Sequence, residues 1–212
     1  TNILNMLDMS GITIRASERG EEEPIIMAGG PCAYNPEPLY DVVDFFEIGE
    51  GEEMMNDVLE VYAKHKANGK VNKKEFLREI SKIGGIYVPS LYDVTYNEDG
   101  TIKEFTPKYE DVPAKVKKRI VNNFDVVSFP DEMIVPYTDI VHDRVVLETA
   151  RGCTNGCRFC QAGMIYRPVR EKTTNTLLEQ ARKALKATGY DEVSLASLSI
   201  CDSVSYTHLT LP

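Results

Sequence analysis

The chain has 212 residues, of which 42% are hydrophobic and 27% charged, and its net charge is −9. This composition is typical of a globular protein with one domain or two small ones. No apolar run approaches the roughly 18 residues that a transmembrane helix requires, so the sequence predicts no membrane-spanning segment. The first residues have neither a basic cluster nor a long apolar stretch and do not resemble a signal peptide. Because the chain starts at Thr1 rather than at a Met, we expect it to begin inside a longer protein.

The five cysteines are an odd number, and three of them lie too close together to pair with one another. A disulfide framework is therefore not expected. The sequence instead predicts a reducing compartment, the cytoplasm.

The charge is unevenly distributed along the chain. Residues 151–186 contain eight Lys or Arg and two acids, a net charge of +6, whereas residues 1–150 carry −12. The acidic part would repel nucleic acid, and the basic segment would attract anions. We interpret several of these cations as a solvated helix face. Arg151 and Arg158 are candidate contacts for a carboxylate or a substrate anion.

Residues 1–85 have the pattern of an α/β domain. The apolar run 24–30 ends in paired glycines and predicts a buried strand followed by a tight turn. Residues 44–53 repeat this pattern, and their acids open a predicted helix that reaches Lys66. Residues 72–83 are a further predicted helix. We therefore predict the C-terminal part of a doubly wound, Rossmann-like domain.

Residues 86–138 are interpreted as a hairpin and a connector. Apolar and polar residues alternate over residues 86–107, and residues 97–100 form a turn sequence between two alternating runs. This pattern predicts a β-hairpin. The basic cluster in residues 112–121 is interpreted as a solvated surface.

A second α/β unit is predicted over residues 139–200. The β-branched run 143–150 predicts a strand that leads directly into the cysteine-containing loop. Thr176 and Glu179 have the spacing of a capping box at the start of a helix. The run 191–199 predicts the next strand. Strand, loop, helix and strand together form the repeating unit of a parallel sheet or barrel.

Three of the cysteines lie within eight residues. Cys153, Cys157 and Cys160 have the spacing C-x3-C-x2-C, and Asn155-Gly156 permits a left-handed turn that directs the sulfurs towards one centre. Thiolates select zinc, copper or iron–sulfur centres. A closed zinc site needs four ligands, and every other Cys or His is remote in the sequence. Two chemistries remain open: a zinc site completed by a distant residue, and a four-iron cluster with one iron left open.

These residues resemble a known superfamily. A C-x3-C-x2-C motif with an aromatic residue immediately before the last cysteine, here Phe159, resembles the motif of radical S-adenosylmethionine (SAM) enzymes. Three segments are similar to sequences of radical SAM proteins with an N-terminal cobalamin-binding-like domain: IIMAGGPCAYNPEPL, FFEIGEGEE and VVLETARGCTNGCRFCQAG. The likeness extends over most of residues 1–200. It implies the end of a Rossmann-like domain followed by the first βα units of a partial TIM barrel.

The resemblance also implies cofactors and their ligands. Cys153, Cys157 and Cys160 would bind three irons of a [4Fe–4S] cluster, SAM would chelate the fourth iron, and Phe159 would lie beside the adenine. Reductive cleavage of SAM would give methionine and a 5′-deoxyadenosyl radical that abstracts hydrogen from a substrate. The electron donor would be a protein such as flavodoxin or ferredoxin. The substrate is open, and RNA modification is suggested by relatives.

Cobalamin is left open as a further cofactor. The D-x-H-x-x-G signature that supplies a cobalt ligand in many relatives is absent, and neither His65 nor His142 lies in such a frame. Four glycines after predicted strands would either line a nucleotide loop or form plain turns: Gly29, Gly30, Gly49 and Gly51.

The resemblance does not extend to the end of the chain. From Asp143 onwards 70 residues remain, enough for roughly two βα units of ~30 residues each. We therefore expect the front part of a longer enzyme that is inactive alone. Residues 201–212 do not continue the family pattern, and neither Cys201 nor His208 is assigned a role. The alternative function is an iron–sulfur or zinc-binding structural or electron-transfer module without SAM chemistry.

Overall fold

The structure is a computed structural model that describes residues 2–67, 69–138 and 140–203. The chain forms two compact units, Thr1–Ile120 and Val121–Pro212. His208 and the tail residues 204–212 lie outside the described residues. The domain boundaries expected from the sequence, after residues 85, 138 and 200, stay predictions. None of the helices in the described ranges is long and apolar enough to cross a bilayer.

The first unit combines helices with two small sheets. Its described helices and strands are α1 Asn2–Met9, β1 Met27–Ala28, β2 Phe45–Glu47, α2 Gly51–Ala67, α3 Lys73–Ile80, β3 Ile86–Tyr87, β4 Tyr92–Tyr96 and β5 Ile102–Pro107. β1 is parallel to β2, with Met27 opposite Phe45, whereas β3 is antiparallel to β2, with Tyr87 opposite Phe46. The predicted order of strand, loop, strand and helix is therefore confirmed.

Polar and acidic residues stabilise the N-terminal ends of α2 and α3. Glu52 and Glu53 lie in the first turn of α2, where the helix dipole favours acids. Asn72 precedes α3, and its side-chain oxygen accepts hydrogen bonds from the backbone N–H groups of Lys74 and Glu75. The largest fully buried side chains of the core around β2 are Phe46, Met54, Phe76, Ile80 and Ile86.

A buried ion pair fixes the start of β2. Asp44 Oδ2 accepts hydrogen bonds from Arg19 Nη1 at 2.6 Å and from the backbone N–H of Ile26 at 2.7 Å. Lys73 Nζ lies 2.7 Å from Asp44 Oδ1. Removing Asp44 would leave two cations without their shared partner, which is far more costly than losing a surface ion pair.

The predicted β-hairpin is confirmed. β4 and β5 are antiparallel, with Val94 opposite Phe105, and the turn closes with a 3.0 Å hydrogen bond from Gly100 N to Asn97 O. Gly100 has a φ of 82°, a left-handed conformation that favours glycine. The rings of Tyr92 and Phe105 stack with their centroids 5.0 Å apart.

After the hairpin, the chain returns to the end of β2. Arg119 N donates to Ile48 O at 2.9 Å, and Glu50 N donates to Arg119 O at 3.1 Å. Gly49 has a φ of 123°, and a Cβ atom there would lie 2.3 Å from Arg119 O. Gly49 is therefore needed because another backbone segment packs directly against it.

The second unit contains the predicted strand–loop–helix–strand arrangement. Its described helices and strands are β6 Val145–Glu148, β7 Ala150–Arg151, α4 Ala162–Ile165, β8 Arg170–Glu171, α5 Thr174–Thr188 and β9 Val193–Ala196. β6 and β9 are parallel, and β7 and β8 are antiparallel. α5 crosses from one parallel strand to the other, and Val145, Leu147, Leu177 and Ala184 form the buried core between them.

The predicted capping box of α5 is wrong. The N-cap is Thr173, whose Oγ1 accepts a hydrogen bond from Thr176 N, so Thr176 already lies in the first helical turn. Asp125 Oδ1 accepts the Thr173 N–H at 2.7 Å and fixes Thr173 at the helix entrance. The sequence did not reveal this contact because Asp125 is 48 residues away. α5 ends at Gly189, which has a φ of 77°.

The mixture of helices with parallel and antiparallel strands confirms the α/β class. The finer assignment, a Rossmann-like domain followed by the first βα units of a partial TIM barrel, stays a prediction.

Glu47 ends β2 with a buried carboxyl group. The residue is 6% exposed, and burial raises the pKa of its side chain. The Oε1 atom has no hydrogen-bond partner among the described residues. Because an unpartnered buried carboxylate costs folding free energy, stability does not explain a Glu at this position.

We expect Glu47→Gln to raise the free energy of unfolding at pH 7. The raised pKa means that the folded protein binds more protons than the unfolded chain at pH values above the unfolded carboxyl pKa of about 4.3. The wild-type chain therefore loses stability as the pH rises through the window between the two pKa values. Urea denaturation of both chains at several pH values should show an advantage of the variant at pH 7 that shrinks below pH ~4. Equal stability at pH 7 would contradict a cost of burial.

Candidate functional site

The cysteine loop leaves the sheet at the carboxyl ends of its parallel strands. The pairing of β6 with β9 runs from Val145 opposite Val193 to Glu148 opposite Ala196. Thr149 N continues the ladder with a 2.9 Å hydrogen bond to Ala196 O. Residues 152–161 follow after β7. Parallel α/β folds place their ligands at this edge of the sheet.

Gly152 fixes the position of the first cysteine. Its φ is 91°, and a Cβ atom at this position would lie 2.8 Å from Pro168 O and 2.9 Å from Val169 Cα. No other residue fits without moving one of the two backbone segments. The returning chain therefore packs directly against the residue that precedes Cys153.

Arg151 holds the strand that enters the loop. Its Nε donates to Glu148 Oε1 at 2.8 Å and its Nη2 to Glu148 Oε2 at 2.9 Å, a two-point ion pair. The guanidinium carbon also lies 4.8 Å from the centre of the Phe124 ring. The sequence suggested Arg151 as a contact for a ligand anion, but its guanidinium binds Glu148. Arg158, the other suggested contact, is exposed.

Lys172 anchors the chain that returns from the loop. It is 2% exposed, and its Nζ donates to Gln180 Oε1 at 3.2 Å. The same Nζ lies 5.1 Å from the ring centre of Phe124 and 5.5 Å from that of Phe129. Lys172 N donates to Thr149 O at 2.9 Å, which ties β8 to the end of β6. Both ends of the cysteine loop are thus held by buried groups.

The three cysteines lie on the accessible part of the loop. Cys153 and Cys160 are half-buried, Cys157 is exposed, and none forms a disulfide. Gly156 has a φ of 62°, so the predicted left-handed turn between the first two cysteines is confirmed. Cys160 N donates to Cys157 O at 3.0 Å, which closes the turn between the last two. Among the described residues, no three Cys, His, Asp or Glu side chains are gathered closely enough to hold a metal ion.

The donor set fits an iron–sulfur cluster. Three thiols on one loop of eight residues, all at least partly accessible and none oxidised, are soft ligands for iron. The ends of the loop are anchored at Gly152 and Lys172, so the loop between them would have to bring the sulfurs to one centre. Three protein sulfurs leave one iron of a four-iron cluster for another ligand.

Two further loop residues have distinct environments. Phe159 is 91% exposed, so its ring presents an open face beside Cys160. Asn155 Nδ2 donates to Ser199 Oγ at 3.1 Å and to Asp202 Oδ2 at 3.2 Å, which connects the loop to the segment after β9. The middle of the loop is therefore attached to the segment that follows β9.

The cysteine spacing identifies the loop but not the groups that hold it. In the sequence, Lys172 is one of the cations of the basic segment, and Glu148 lies in the predicted strand 143–150. The spacing of Glu148 and Arg151 (i, i+3) was a local signal for their ion pair. No local signal indicated that Lys172 is buried, because its partners Phe124 and Phe129 lie more than forty residues earlier.

The two comparisons with known proteins cover different lengths of the chain. Residues 1–89 match the family model for radical SAM proteins, N-terminal. The chain is also 26% identical over 190 residues to a protein of Methanocaldococcus jannaschii named Uncharacterized protein MJ0966. The alignment covers 89% of this chain and 35% of that relative, so the chain spans about a third of the length of the curated relative that it matches.

The family match and the cysteine motif lie in different parts of the chain, residues 1–89 and 153–160, and both indicate the same superfamily. Over residues 1–89 the chain is similar to the N-terminal part of radical SAM proteins.

Proposed function

We propose that the chain is part of an enzyme that cleaves SAM reductively and thereby starts radical chemistry on a substrate. The observation that carries this proposal is the position of Cys153, Cys157 and Cys160 on one anchored loop at the carboxyl edge of the parallel pair β6 and β9. The match of residues 1–89 to the radical SAM N-terminal family supports it independently.

The three cysteine sulfurs would hold a [4Fe–4S] cluster. When bound, such a cluster supplies the electron that breaks the sulfonium bond of SAM and releases methionine and a 5′-deoxyadenosyl radical. The residues of the chain have supporting roles. Gly152 lets the backbone at Pro168 approach, the Glu148–Arg151 pair holds the incoming strand, and Phe159 offers an exposed ring for the adenine of SAM.

The proposal includes an external reductant and leaves the substrate open. A redox protein such as flavodoxin or ferredoxin would deliver the electron, and the protein would act in a reducing compartment such as the cytoplasm. The substrate contacts of a barrel enzyme come from the carboxyl ends of several strands, and β6 and β9 would be two of these strands. RNA is one substrate class to test, because the segment around the cysteines is basic.

Cobalamin is not part of the proposal. Of the glycines that were candidates for a cofactor loop, Gly49 is explained by the backbone of Arg119 that packs against it.

We expect single Cys153→Ala, Cys157→Ala and Cys160→Ala variants to lose the cluster. After anaerobic reconstitution with iron and sulfide, the wild-type chain should contain about four irons per chain, and each variant should retain only a small fraction of the iron and of the visible absorption. Reduction of the wild-type chain should give an EPR signal that changes when SAM is added. Cys32→Ala is the matched control, because Cys32 is an exposed cysteine of the other unit and should not alter the iron content.

The same experiment tests the alternative module. A cluster whose EPR spectrum is unchanged by SAM would favour an electron-transfer or structural role. Zinc bound in place of iron, with a complete set of protein ligands, would also contradict the proposal.

We expect Gly152→Ala to weaken both the fold of the second unit and cluster binding. The Cβ atom would meet Pro168 O at 2.8 Å in a backbone conformation that alanine rarely adopts. The strain should lower the free energy of unfolding by about 2 kcal/mol. Chemical denaturation and the iron content after reconstitution measure the two effects. Gly163→Ala is the control, because a Cβ atom there meets nothing within 4 Å. Wild-type behaviour of Gly152→Ala would show that the close approach does not position the loop.

A further inference from the structure

A second candidate site lies in the first unit, in a cavity of about 600 Å³ beside the β-hairpin. The residues that line it come from the ranges 16–21, 37–44, 73–77 and 87–108, so all of them belong to the first unit. Small-molecule sites usually have volumes of roughly 300–1,000 Å³. The cavity therefore has room for a small organic molecule.

Aromatic rings form one wall of this cavity. The rings of Tyr92 and Phe105 stack with their centroids 5.0 Å apart, and the ring of Tyr87 lies 5.3 Å from that of Tyr92. Tyr87 and Tyr92 are buried, but Phe105 is 38% exposed and Tyr96, the last residue of β4, is 63% exposed. Uncovered ring surface that lines a cavity is suited to stacking against a flat ligand.

Glu37 supplies a hydrogen-bond acceptor at the same wall. It lines the cavity and is exposed, and its Oε1 accepts a 2.6 Å hydrogen bond from the Tyr87 hydroxyl. Burial and this hydrogen bond raise the pKa of Tyr87 far above its ordinary value, so the hydrogen stays on the tyrosine. In the described part of the chain, the Glu37 carboxylate has no other hydrogen-bond or ion-pair partner. Since an ionised carboxylate has about four acceptor positions, several remain for the donors of a ligand.

The charges around the cavity restrict the class of ligand. Lys73 Nζ is paired with Asp44 at 2.7 Å, and Lys108 Nζ donates to Ser90 O at 2.9 Å. The lining contains as many cations as acids: Arg19, Lys73, Lys74 and Lys108 against Glu21, Glu37, Asp41 and Asp44. An anion would be repelled by the acids and an organic cation by the lysines. The lining therefore favours a neutral ligand.

The aromatic wall and the Glu37 acceptor together define this neutral ligand. A flat heterocycle can stack on the exposed rings, and an edge with two adjacent N–H groups matches a carboxylate, which only accepts hydrogen bonds. Guanine has such an edge, formed by its N1–H and its 2-amino group. Adenine places an acceptor nitrogen beside its amino group, and a carboxylate would repel that nitrogen.

We propose that the cavity beside the hairpin binds a neutral guanine-type base. The ring packs against Phe105 and Tyr96, and its N–H edge donates to Glu37. This site is independent of the proposed iron–sulfur chemistry, since it uses only residues of the first unit.

Guanosine is the probe for this site. Isothermal titration calorimetry and saturation-transfer NMR on the 212-residue chain, without added iron or SAM, should detect guanosine binding. Inosine lacks the 2-amino group and should bind at least about tenfold more weakly, because a hydrogen bond to a charged acceptor is lost. A base that belongs to a nucleotide or to RNA carries phosphate. Guanosine 5′-monophosphate, which stands for that source, should bind more weakly than guanosine because acids line the cavity.

Two substitutions test the wall of the cavity. Glu37→Gln keeps an oxygen for the Tyr87 hydroxyl but replaces the other oxygen with a donor, so guanosine binding should weaken at least about tenfold with an unchanged melting temperature. Tyr96→Leu removes an exposed ring and should weaken binding at least about fivefold. The matched controls Glu104→Gln and Tyr109→Leu, exposed residues outside the lining, should bind guanosine as the wild type does.

Four outcomes would overturn the proposal. They are a lack of guanosine binding to the folded chain, equal affinity for guanosine and inosine, tighter binding of guanosine 5′-monophosphate than of guanosine, and an affinity for guanosine that Glu37→Gln leaves unchanged.

Discussion

The parallel pairing of β6 with β9 determines where the three cysteines are presented. α5 joins the two strands as a crossover and buries Leu177 and Ala184 against Val145 and Leu147. With this packing, the loop follows the carboxyl ends of the two parallel strands. The buried Lys172 and the close approach at Gly152 then fix the ends of the loop that carries the three thiols. The candidate chemistry depends on this loop, because a cluster needs three sulfurs that can reach a single centre.

The local features of the fold could be predicted from the sequence because their causes are local. Turn residues such as Gly100, the alternation over β4 and β5, and the cysteine spacing are each contained in short segments. The N-cap of α5 is Thr173 rather than Thr176, and the hydrogen bond that Asp125, 48 residues away, accepts from Thr173 has no signal in the local sequence. The burial of Lys172 between aromatic rings was equally hidden. The contacts that could not be predicted join segments that are far apart in the sequence. In these contacts a polar or charged side chain is held by a distant segment.

The glycines of the first unit show why a residue type alone does not identify a site. Gly49 and Gly29 both follow strands and have the same appearance in the sequence. In the structure, a Cβ atom at Gly49 would lie 2.3 Å from Arg119 O, so packing requires a glycine there, whereas a Cβ atom at Gly29 would make only ordinary contacts with Glu47. Whether a glycine is required therefore depends on the neighbours of each position.

The central claim is that the protein leaves one iron of a four-iron cluster for SAM to bind. Mössbauer spectroscopy of the chain reconstituted with ⁵⁷Fe, recorded with and without SAM, tests this claim most directly. The account predicts that one of the four iron sites changes its spectral parameters when SAM is added, while the other three, which are bound by Cys153, Cys157 and Cys160, change little. Four iron sites that all ignore SAM, or a chain that takes up no iron–sulfur cluster, would contradict it.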